Sequence, residues 1–293
     1  MSAQGVIHML SGIVADLVLP LSQIVLFPSV LPIPLPMILH AIRVSYDYRT
    51  RLAANHVHIG WLQGLVAVLF MAAGGGFSVG LLRGEGWKAL FNDSFWAAYG
   101  SMYLLTFGSS TFYNILDSLP PAVFYSMIVA GDALSRANAI TGYGVDGVVQ
   151  TVTSSSSPGK WVARVVCGTL AGCGGGMIAD AFQLATLDWT FKTPSIFRAA
   201  SPDINYAFYT ALFYTLTTAP EVALWLTGEV PLAKVSGKTE AYTPQGLLSL
   251  DEARAWGSLI MLSGLLIKTY REGKLGFSSR KADAIEEKGS KAQ

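Results

Sequence analysis

The stretch Phe70-Met71-Ala72-Ala73-Gly74-Gly75-Gly76-Phe77-Ser78 lies inside the apolar run Val57–Leu82, and Gly174-Gly175-Gly176 lies inside a second run, Val162–Leu184. Glycine disfavours a water-exposed helix by about 1 kcal/mol per residue relative to alanine. In a membrane, such triplets serve either close helix packing or bending and unwinding, which exposes backbone carbonyls to a cavity. Two triplets in corresponding places indicate a duplicated membrane unit. We favour broken helices that line a path between its halves.

The composition places the chain in a membrane. It has 293 residues, of which 52% are hydrophobic and 13% charged, with a mean hydropathy of +0.44, whereas soluble domains carry about 25% charged residues. The long apolar blocks predict helices and exclude the short alternating segments of a β-barrel. A net charge of +1 gives no indication of a nucleic-acid partner. Cys167 and Cys173 fit no metal-ligand spacing and are predicted to be small buried side chains.

Seven segments predict membrane-spanning helices. The first has a start disturbed by prolines, follows a short N-terminal helix and ends at about residues 40–45. The others are Val57–Leu82, Trp96–Leu116, Pro121–Leu134, Trp161–Leu184, Ile204–Thr227 and Leu247–Tyr270. The basic and aromatic residues at the end of the first span are typical of an interfacial anchor; they are Arg43, Tyr46, Tyr48, Arg49 and Arg51.

The spans divide into three, three and one. Because three is odd, consecutive blocks of three helices insert in opposite orientations. The predicted fold is an all-α integral membrane protein with seven transmembrane helices. Repeat one (about 20–117) and repeat two (about 120–227) form an inverted repeat, and a seventh helix (about 247–270) follows. A flexible linker is expected at about 142–160 and a charged, disordered tail at 271–293. The excess of Lys and Arg on the side of the tail predicts a cytosolic C-terminus.

Three stretches then carry a family resemblance through their order and spacing. They are His56-Val57-His58-Ile59-Gly60-Trp61 with Leu81-Leu82-Arg83-Gly84-Glu85, Phe112-Tyr113-Asn114-Ile115-Leu116-Asp117-Ser118-Leu119-Pro120, and Gly168–Phe182 with the polar loop containing Trp189, Lys192, Thr193 and Pro194. Over residues 20–270 the chain resembles the trimeric intracellular cation (TRIC) channels, which have seven helices and glycine motifs in the second and fifth.

The resemblance implies a homotrimer with one pore per protomer. It implies that K⁺ passes through the membrane of an intracellular store such as the endoplasmic reticulum, where it balances charge during Ca²⁺ release. The family's fourth helix carries Lys-Glu-Val followed by Arg, which is linked to phosphoinositide binding. Here Asp132 stands for the acid and Arg136 for the arginine, but the lysine is absent. The chain is therefore a divergent relative with altered lipid regulation or conduction.

Single residues extend this interpretation. Asp180 lies four residues after the second triplet, and an intramembrane carboxylate is a candidate for attracting ions; alternatively it is an interfacial acid or the partner of an arginine. Ser78 has a similar offset after the first triplet. Arg136, Lys160 and Arg164 are candidates for gating or for contact with lipid headgroups, including phosphoinositides or other anionic lipids, although snorkelling at a helix end is favoured for Lys160.

The function predicted from the sequence is a passive cation channel. Two alternatives remain. A secondary transporter would use the same inverted repeat. A non-conducting subunit of a larger membrane complex would keep the fold, and the absence of the family's lysine favours this alternative. Neither a nucleophile with its base nor a nucleotide-binding loop stands out, so we expect no enzyme activity and no cofactor beyond lipid and the permeant ion.

Overall fold

The structure is a computed structural model that describes residues 3–151, 159–229, 232–234 and 242–275. Its helices are α1 (Ala3–Gln23), α2 (Leu35–Leu52), α3 (Trp61–Arg83), α4 (Asp93–Gly108), α5 (Ser110–Ser118), α6 (Pro121–Asn138), α7 (Gly147–Thr151), α8 (Trp161–Ala181), α9 (Pro202–Thr218), α10 (Pro220–Thr227) and α11 (Leu250–Arg271). Strands β1 (Val25–Leu26) and β2 (Ile33–Pro34) form one antiparallel hairpin, and β3 (Leu232–Lys234) and β4 (Tyr242–Pro244) form another. The all-α prediction is confirmed.

Within the described residues, three helices are long and apolar enough to cross a membrane: Gly5–Gln23 of α1, α3 and α8. The chain is thus a helical membrane protein. The two triplet helices are continuous over Trp61–Arg83 and Trp161–Ala181, so the prediction that the glycines break them is wrong. The physical reason is packing, because at the glycines each helix lies against the backbone of the other. Residues 276–293 of the predicted tail lie outside the described part.

The N-terminal region differs from its prediction in length. Instead of a short helix, α1 has 21 residues. The prolines that follow it fall in the β1–β2 hairpin and at the start of α2. In the first turn of a helix the backbone N–H has no partner within the helix, so proline costs no hydrogen bond there. Helix α1 runs alongside α11 in the same direction: His8 Nδ1 lies 3.4 Å from Glu252 Oε1, and Trp256 Nε1 donates to Ser11 Oγ at 3.1 Å.

The third predicted span of each half is divided in two. Helix α4 ends at Gly108, and α5 begins after Ser109, whose hydroxyl accepts from the Phe112 amide at 3.2 Å. In the second half, α9 ends at Thr218 and Pro220 opens α10. The predictions Trp96–Leu116 and Ile204–Thr227 were continuous because each run is apolar on both sides of the break. Ser109 and Pro220 are the residues that signal a new helix start.

Helix α6 ends at Asn138, two residues beyond Arg136, where its end was predicted. The chain then continues as a π-helical segment, Ala139–Asp146, and as α7, so the first part of the predicted linker is helical. One of its glycines serves close approach, because a Cβ on Gly144 would lie 2.6 Å from the Gly168 Cα of α8. Asp146, at the end of this segment, accepts from Tyr214 Oη and Arg254 Nη2, both at 2.9 Å. The remainder of the linker, residues 152–158, lies outside the described part.

The largest apolar core joins α6, α8, α9 and α11, and includes the fully buried Tyr214, Met261 and Leu265. A second core joins α2, α3 and α4 around Tyr48 and Val68. Cys167 and Cys173 are free and buried, as predicted. The two cores meet where α3 crosses α8, and this crossing positions the candidate site.

Candidate functional site

Helices α3 and α8 cross at their glycine triplets. A Cβ on Gly75 would lie 2.6 Å from the Leu170 carbonyl oxygen, and a Cβ on Gly174 would lie 2.7 Å from the Gly75 Cα. Gly74 and Gly175 meet backbone of the opposite helix equally closely, at 3.0 Å or less. Real side chains do not approach backbone at such distances, so these four positions require glycine. We call Gly74, Gly75, Gly174 and Gly175 the sealed crossing.

The last glycine of each triplet has a different environment. A Cβ on Gly76 would meet only Tyr143 Cε1, at an ordinary 3.8 Å, and a Cβ on Gly176 would meet nothing within 4 Å. Both glycines border open space. The two uses weighed for the triplets from the sequence therefore occur together: the first two glycines of each triplet pack against the opposite helix, and only the third has room for a side chain. Gly75 and Gly175 also line the wide cavity.

Three cavities follow one another along α2. The wide cavity, of about 430 Å³, is bordered by His40, Trp87, Lys88 and Arg136. The charged cavity, of about 100 Å³, also borders His40 and Arg136 and adds Asp132. The terminal cavity, of about 180 Å³, lies against Arg51 and Asp180. Met71 and Gly176 line all three.

The shared walls place the three cavities next to one another along α2. The wide cavity reaches Pro34, just before α2 begins, Ser22 near the end of α1, and Trp87 beyond α3. The charged and terminal cavities reach Arg51, near the end of α2, and the charged cavity also borders Lys274 beyond α11. Because α2 spans 18 residues, a helix of about 27 Å at 1.5 Å per residue, the series has the length of a membrane crossing.

A buried carboxylate stands at the junction of the wide and charged cavities. Asp132 is fully buried, and its Oδ2 lies 2.6 Å from Arg43 Nη1 while its Oδ1 lies 2.8 Å from Arg136 Nε. His40 Nε2 is 3.2 Å from Oδ1, and His40 Nδ1 is 2.5 Å from the Tyr99 hydroxyl. A charge at this depth is expensive unless it is compensated, and these three partners compensate it.

The residue before Asp132 makes this contact possible. A Cβ on Gly131 would overlap Leu39 of α2, with its Cγ and Cδ1 at about 3 Å, so α2 and α6 approach closely only because residue 131 lacks a side chain. The close approach brings Arg43 and His40 of α2 against the carboxylate on α6. Fold and site are thus connected through one small residue.

The cluster continues toward α9 and α11. Arg136 Nη1 lies 3.1 Å from Asp203 Oδ1 and 3.3 Å from the Gly172 carbonyl oxygen of α8. Asp203 Oδ2 in turn pairs with Lys268 Nζ. Four helices, α2, α6, α9 and α11, therefore each contribute a charged side chain to one connected group, and α8 contributes a backbone carbonyl.

The residues predicted for the site lie in different places. Asp132 and Arg136 are at its centre. The Ser78 hydroxyl donates to the Gly74 carbonyl at 2.9 Å, within its own helix. Asp180 borders the terminal cavity, and its carboxylate accepts from the Ser195 amide of the following loop. Its predicted role in ion attraction remains a prediction.

Lys160 and Arg164 lie away from the cavities. Lys160 is the residue before α8 and adopts a left-handed conformation with φ 47°. Arg164 is buried in the first turn of that helix, with its guanidinium 5.7 Å from the Trp161 ring. Neither borders the wide, charged or terminal cavity, so the structure does not bring them together with Asp132 and Arg136.

Sequence reasoning missed four members of the cluster, which are His40, Arg43, Asp203 and Lys268. Arg43 and Arg49 were assigned to an interfacial anchor, but both are buried; Arg49 donates to the Thr106 carbonyl and lies 4.2 Å from the Tyr113 ring centroid. His40, Asp203 and Lys268 were not singled out as site residues. The available signal was their ionisable chemistry within or beside apolar spans; the spans themselves hide which helices become neighbours.

Comparisons with known proteins concern the fold. No family model and no curated protein matches the chain in sequence at a significant level. Among solved structures, a TRIC counter-ion channel studied for its activity in calcium release superposes with a TM-score of 0.62 and 16% identity, over 87% of this chain and 99% of that one.

Two structures of a trimeric intracellular cation channel from C. elegans also match. The one with bound Ca²⁺ has a TM-score of 0.59 and 15% identity, over 87% of this chain and 95% of that one. The one without Ca²⁺ has a TM-score of 0.59 and 14% identity, over 92% and 98%. The resemblance noted in the sequence is thereby confirmed at the level of the fold: this divergent chain has the fold of the TRIC channels.

Proposed function

We propose that the chain is a cation channel whose ions pass through the wide, charged and terminal cavities in turn. The observation that carries the proposal is the shared wall of Met71 and Gly176, which connects the three cavities along the whole of α2. The likeness to proteins described as counter-ion and cation channels supports it. Potassium is the proposed permeant ion, and charge balance during Ca²⁺ release from an intracellular store, such as the endoplasmic reticulum, is the proposed role.

The proposed topology is seven crossings, as two inverted blocks of three and a last helix. The first glycine of each triplet lies thirteen residues after a helix-opening tryptophan, from Trp61 to Gly74 and from Trp161 to Gly174. Each block also ends in a divided helix. An internal repeat is expected to show such corresponding features in its two halves.

In this topology, α2 makes the first of the seven crossings, and α1 precedes it as an additional N-terminal helix. His8 of α1 lies at the start of α11, beside Glu252, whereas Asp47 near the end of α2 lies 3.6 Å from Lys274, beyond the end of α11. The two termini are therefore proposed to lie on opposite sides, with the C-terminus cytosolic. Three protomers, each with its own path, form the proposed assembly.

An anionic lipid, including a phosphoinositide, is proposed to regulate the path at its Arg51 end. Arg136 is engaged by Asp132 and Asp203, so a headgroup arriving from solution meets Arg51 and Lys274 first. A non-conducting subunit and a secondary transporter remain outcomes of the experiment below.

The experiment is planar-bilayer recording of the purified full chain in asymmetric KCl, beside Gly176→Ala and Gly100→Ala. Both glycines have room for a methyl group, but only Gly176 borders the cavities. We expect cation-selective unitary currents, with the conductance lowered severalfold in Gly176→Ala and unchanged in Gly100→Ala. Absence of current from intact oligomers would contradict the proposed channel function. Flux that requires a coupled ion would indicate a transporter. Equal conductance in both variants would move the path elsewhere.

A further inference from the structure

Two of the carboxylates that border the charged cavity, Asp132 and Asp203, differ strongly in accessibility. Asp132 has no exposed side-chain surface, because Arg43, Arg136 and His40 enclose it. Asp203 keeps 22% of its side chain exposed, and it borders the same cavity. A passing ion would therefore meet the carboxylate of Asp203 directly, whereas it would be separated from that of Asp132.

The partner of Asp203 is equally accessible. Lys268 of α11 keeps 22% of its side chain exposed, pairs with the carboxylate of Asp203 and also borders the charged cavity. The next charges along α11 and its extension, Glu272 and Lys274, are 39% and 33% exposed. Their fields are screened more strongly by water and salt. Arg136 is 23% exposed and also pairs with Asp203, but its guanidinium is shared with the enclosed Asp132. Asp203 and Lys268 are thus a pair of opposite charges that an ion can approach directly.

The charge balance of the cavity makes this pair consequential. Four carboxylates and five permanently cationic side chains border it, which leaves one net positive charge when His40 is neutral. The carboxylates are Asp47, Asp132, Asp203 and Glu272, and the cations are Arg43, Arg51, Arg136, Lys268 and Lys274. Near such a balance, the removal of one cation brings the net charge to zero, and the removal of one carboxylate doubles it.

From this geometry we infer that Asp203 and Lys268 together set the charge selectivity of the path. The inference rests on the proposed channel function and deepens it: Asp203 favours cations, Lys268 opposes them, and their pairing keeps the two effects nearly balanced. A unit charge about 6 Å from an ion, in a water-like dielectric, changes the local ion concentration about threefold. Since cations and anions respond in opposite directions, each single neutralisation should change the K⁺/Cl⁻ permeability ratio about tenfold.

The test uses three variants of the full chain in planar bilayers under a KCl gradient, with the reversal potential as the readout. Asp203→Asn and Lys268→Met both remove the ion pair between these two residues but change the net charge in opposite directions. Asp203→Asn also removes the ion pair with Arg136. Asp203→Asn should lower the K⁺/Cl⁻ permeability ratio about tenfold, and Lys268→Met should raise it by a similar factor. The double variant loses the contact and both charges, so its reversal potential should return close to that of the wild type.

A merely structural salt bridge would give a different pattern. The reversal potentials of both single variants would then change in the same direction, or both variants would lose current without a change in reversal potential. The double variant would not return to the wild-type reversal potential. This pattern overturns the inference while leaving the proposed channel function intact. Each single variant has its own expected sign, so either of them with the wild type suffices if the other does not fold. A wild-type protein without current overturns the proposed channel and this inference together.

Discussion

Within each glycine triplet, the first two residues and the third face opposite conditions. In the sealed crossing, a Cβ on Gly74, Gly75, Gly174 or Gly175 would lie within 3.0 Å of other atoms. A Cβ on Gly76 would meet only one atom, at 3.8 Å, and a Cβ on Gly176 would meet nothing within 4 Å. The same residue type thus closes the interface on one side and leaves room on the other. The same contrast between closed and open surroundings separates Asp132 from Asp203 and, as described below, Cys167 from Cys173.

The largest effect is expected where the enclosed charge is removed. Asp132→Asn leaves Arg43 and Arg136 without their shared carboxylate, and breaking a buried ion pair costs about 3–5 kcal/mol. We expect a large drop in the thermal midpoint of the purified protein, or loss of the folded oligomer. Asp203→Asn, at the more exposed carboxylate, is the matched control and should cost clearly less. Equal losses in both variants would contradict the contrast between an enclosed and an accessible acid.

A smaller effect separates the two kinds of glycine. Gly175→Ala pushes a methyl group into the Met71 backbone, whose carbonyl carbon would lie 3.0 Å away, and overpacking of this kind costs about 1–3 kcal/mol. Gly176→Ala meets open space and should be neutral or slightly stabilising, because alanine favours a helix by about 1 kcal/mol. Thermal midpoints in the same detergent check this difference. A destabilised Gly176→Ala would mean that the third glycine packs as tightly as the second.

The smallest effect concerns two cysteines of one helix. Cys167 and Cys173 are similarly buried, but only Cys173 borders the charged cavity; Cys167 packs against Val79 and Val148. A small cationic thiosulfonate should modify Cys173 in the folded protein and reduce the current, and Cys173→Ala should abolish both effects. Cys167→Ala should leave labelling unchanged, as measured by mass spectrometry. Preferential labelling of Cys167 would contradict the assignment of the cavities.

Much of the fold was accessible from the sequence. The hydropathy blocks and the two triplets predicted an all-helical membrane protein, the three quoted stretches indicated a TRIC-like fold, and the comparison with solved structures confirms that fold. The spans nevertheless had the wrong internal structure, since hydropathy does not report the break at Ser109, the break at Ala219 or the π-helical segment. These features depend on hydrogen-bond geometry over single residues.

The site was predicted less completely. Asp132 and Arg136 were identified through a family motif, but Arg43 was assigned to the interface, and Asp203 and Lys268 were overlooked. The reason is that these side chains come from four helices that are far apart in the chain, so their proximity depends on packing. Gly131 illustrates the difficulty: its importance lies in the approach of Leu39, and nothing in the local sequence reveals which helix will approach.

The π-helical segment has a consequence for the length of the chain. A turn closed by an i→i+5 hydrogen bond contains one residue more than an α-helical turn, so Ala139–Asp146 holds slack that a regular helix would not contain. Deletion of a single residue, such as Gly142, should take up this slack and leave Asp146 facing Tyr214 and Arg254. The same deletion in a regular α-helix would rotate everything beyond it by about 100°, the angle per residue at 3.6 residues per turn. The π-helical segment therefore makes this part of the chain tolerant to the loss of one residue.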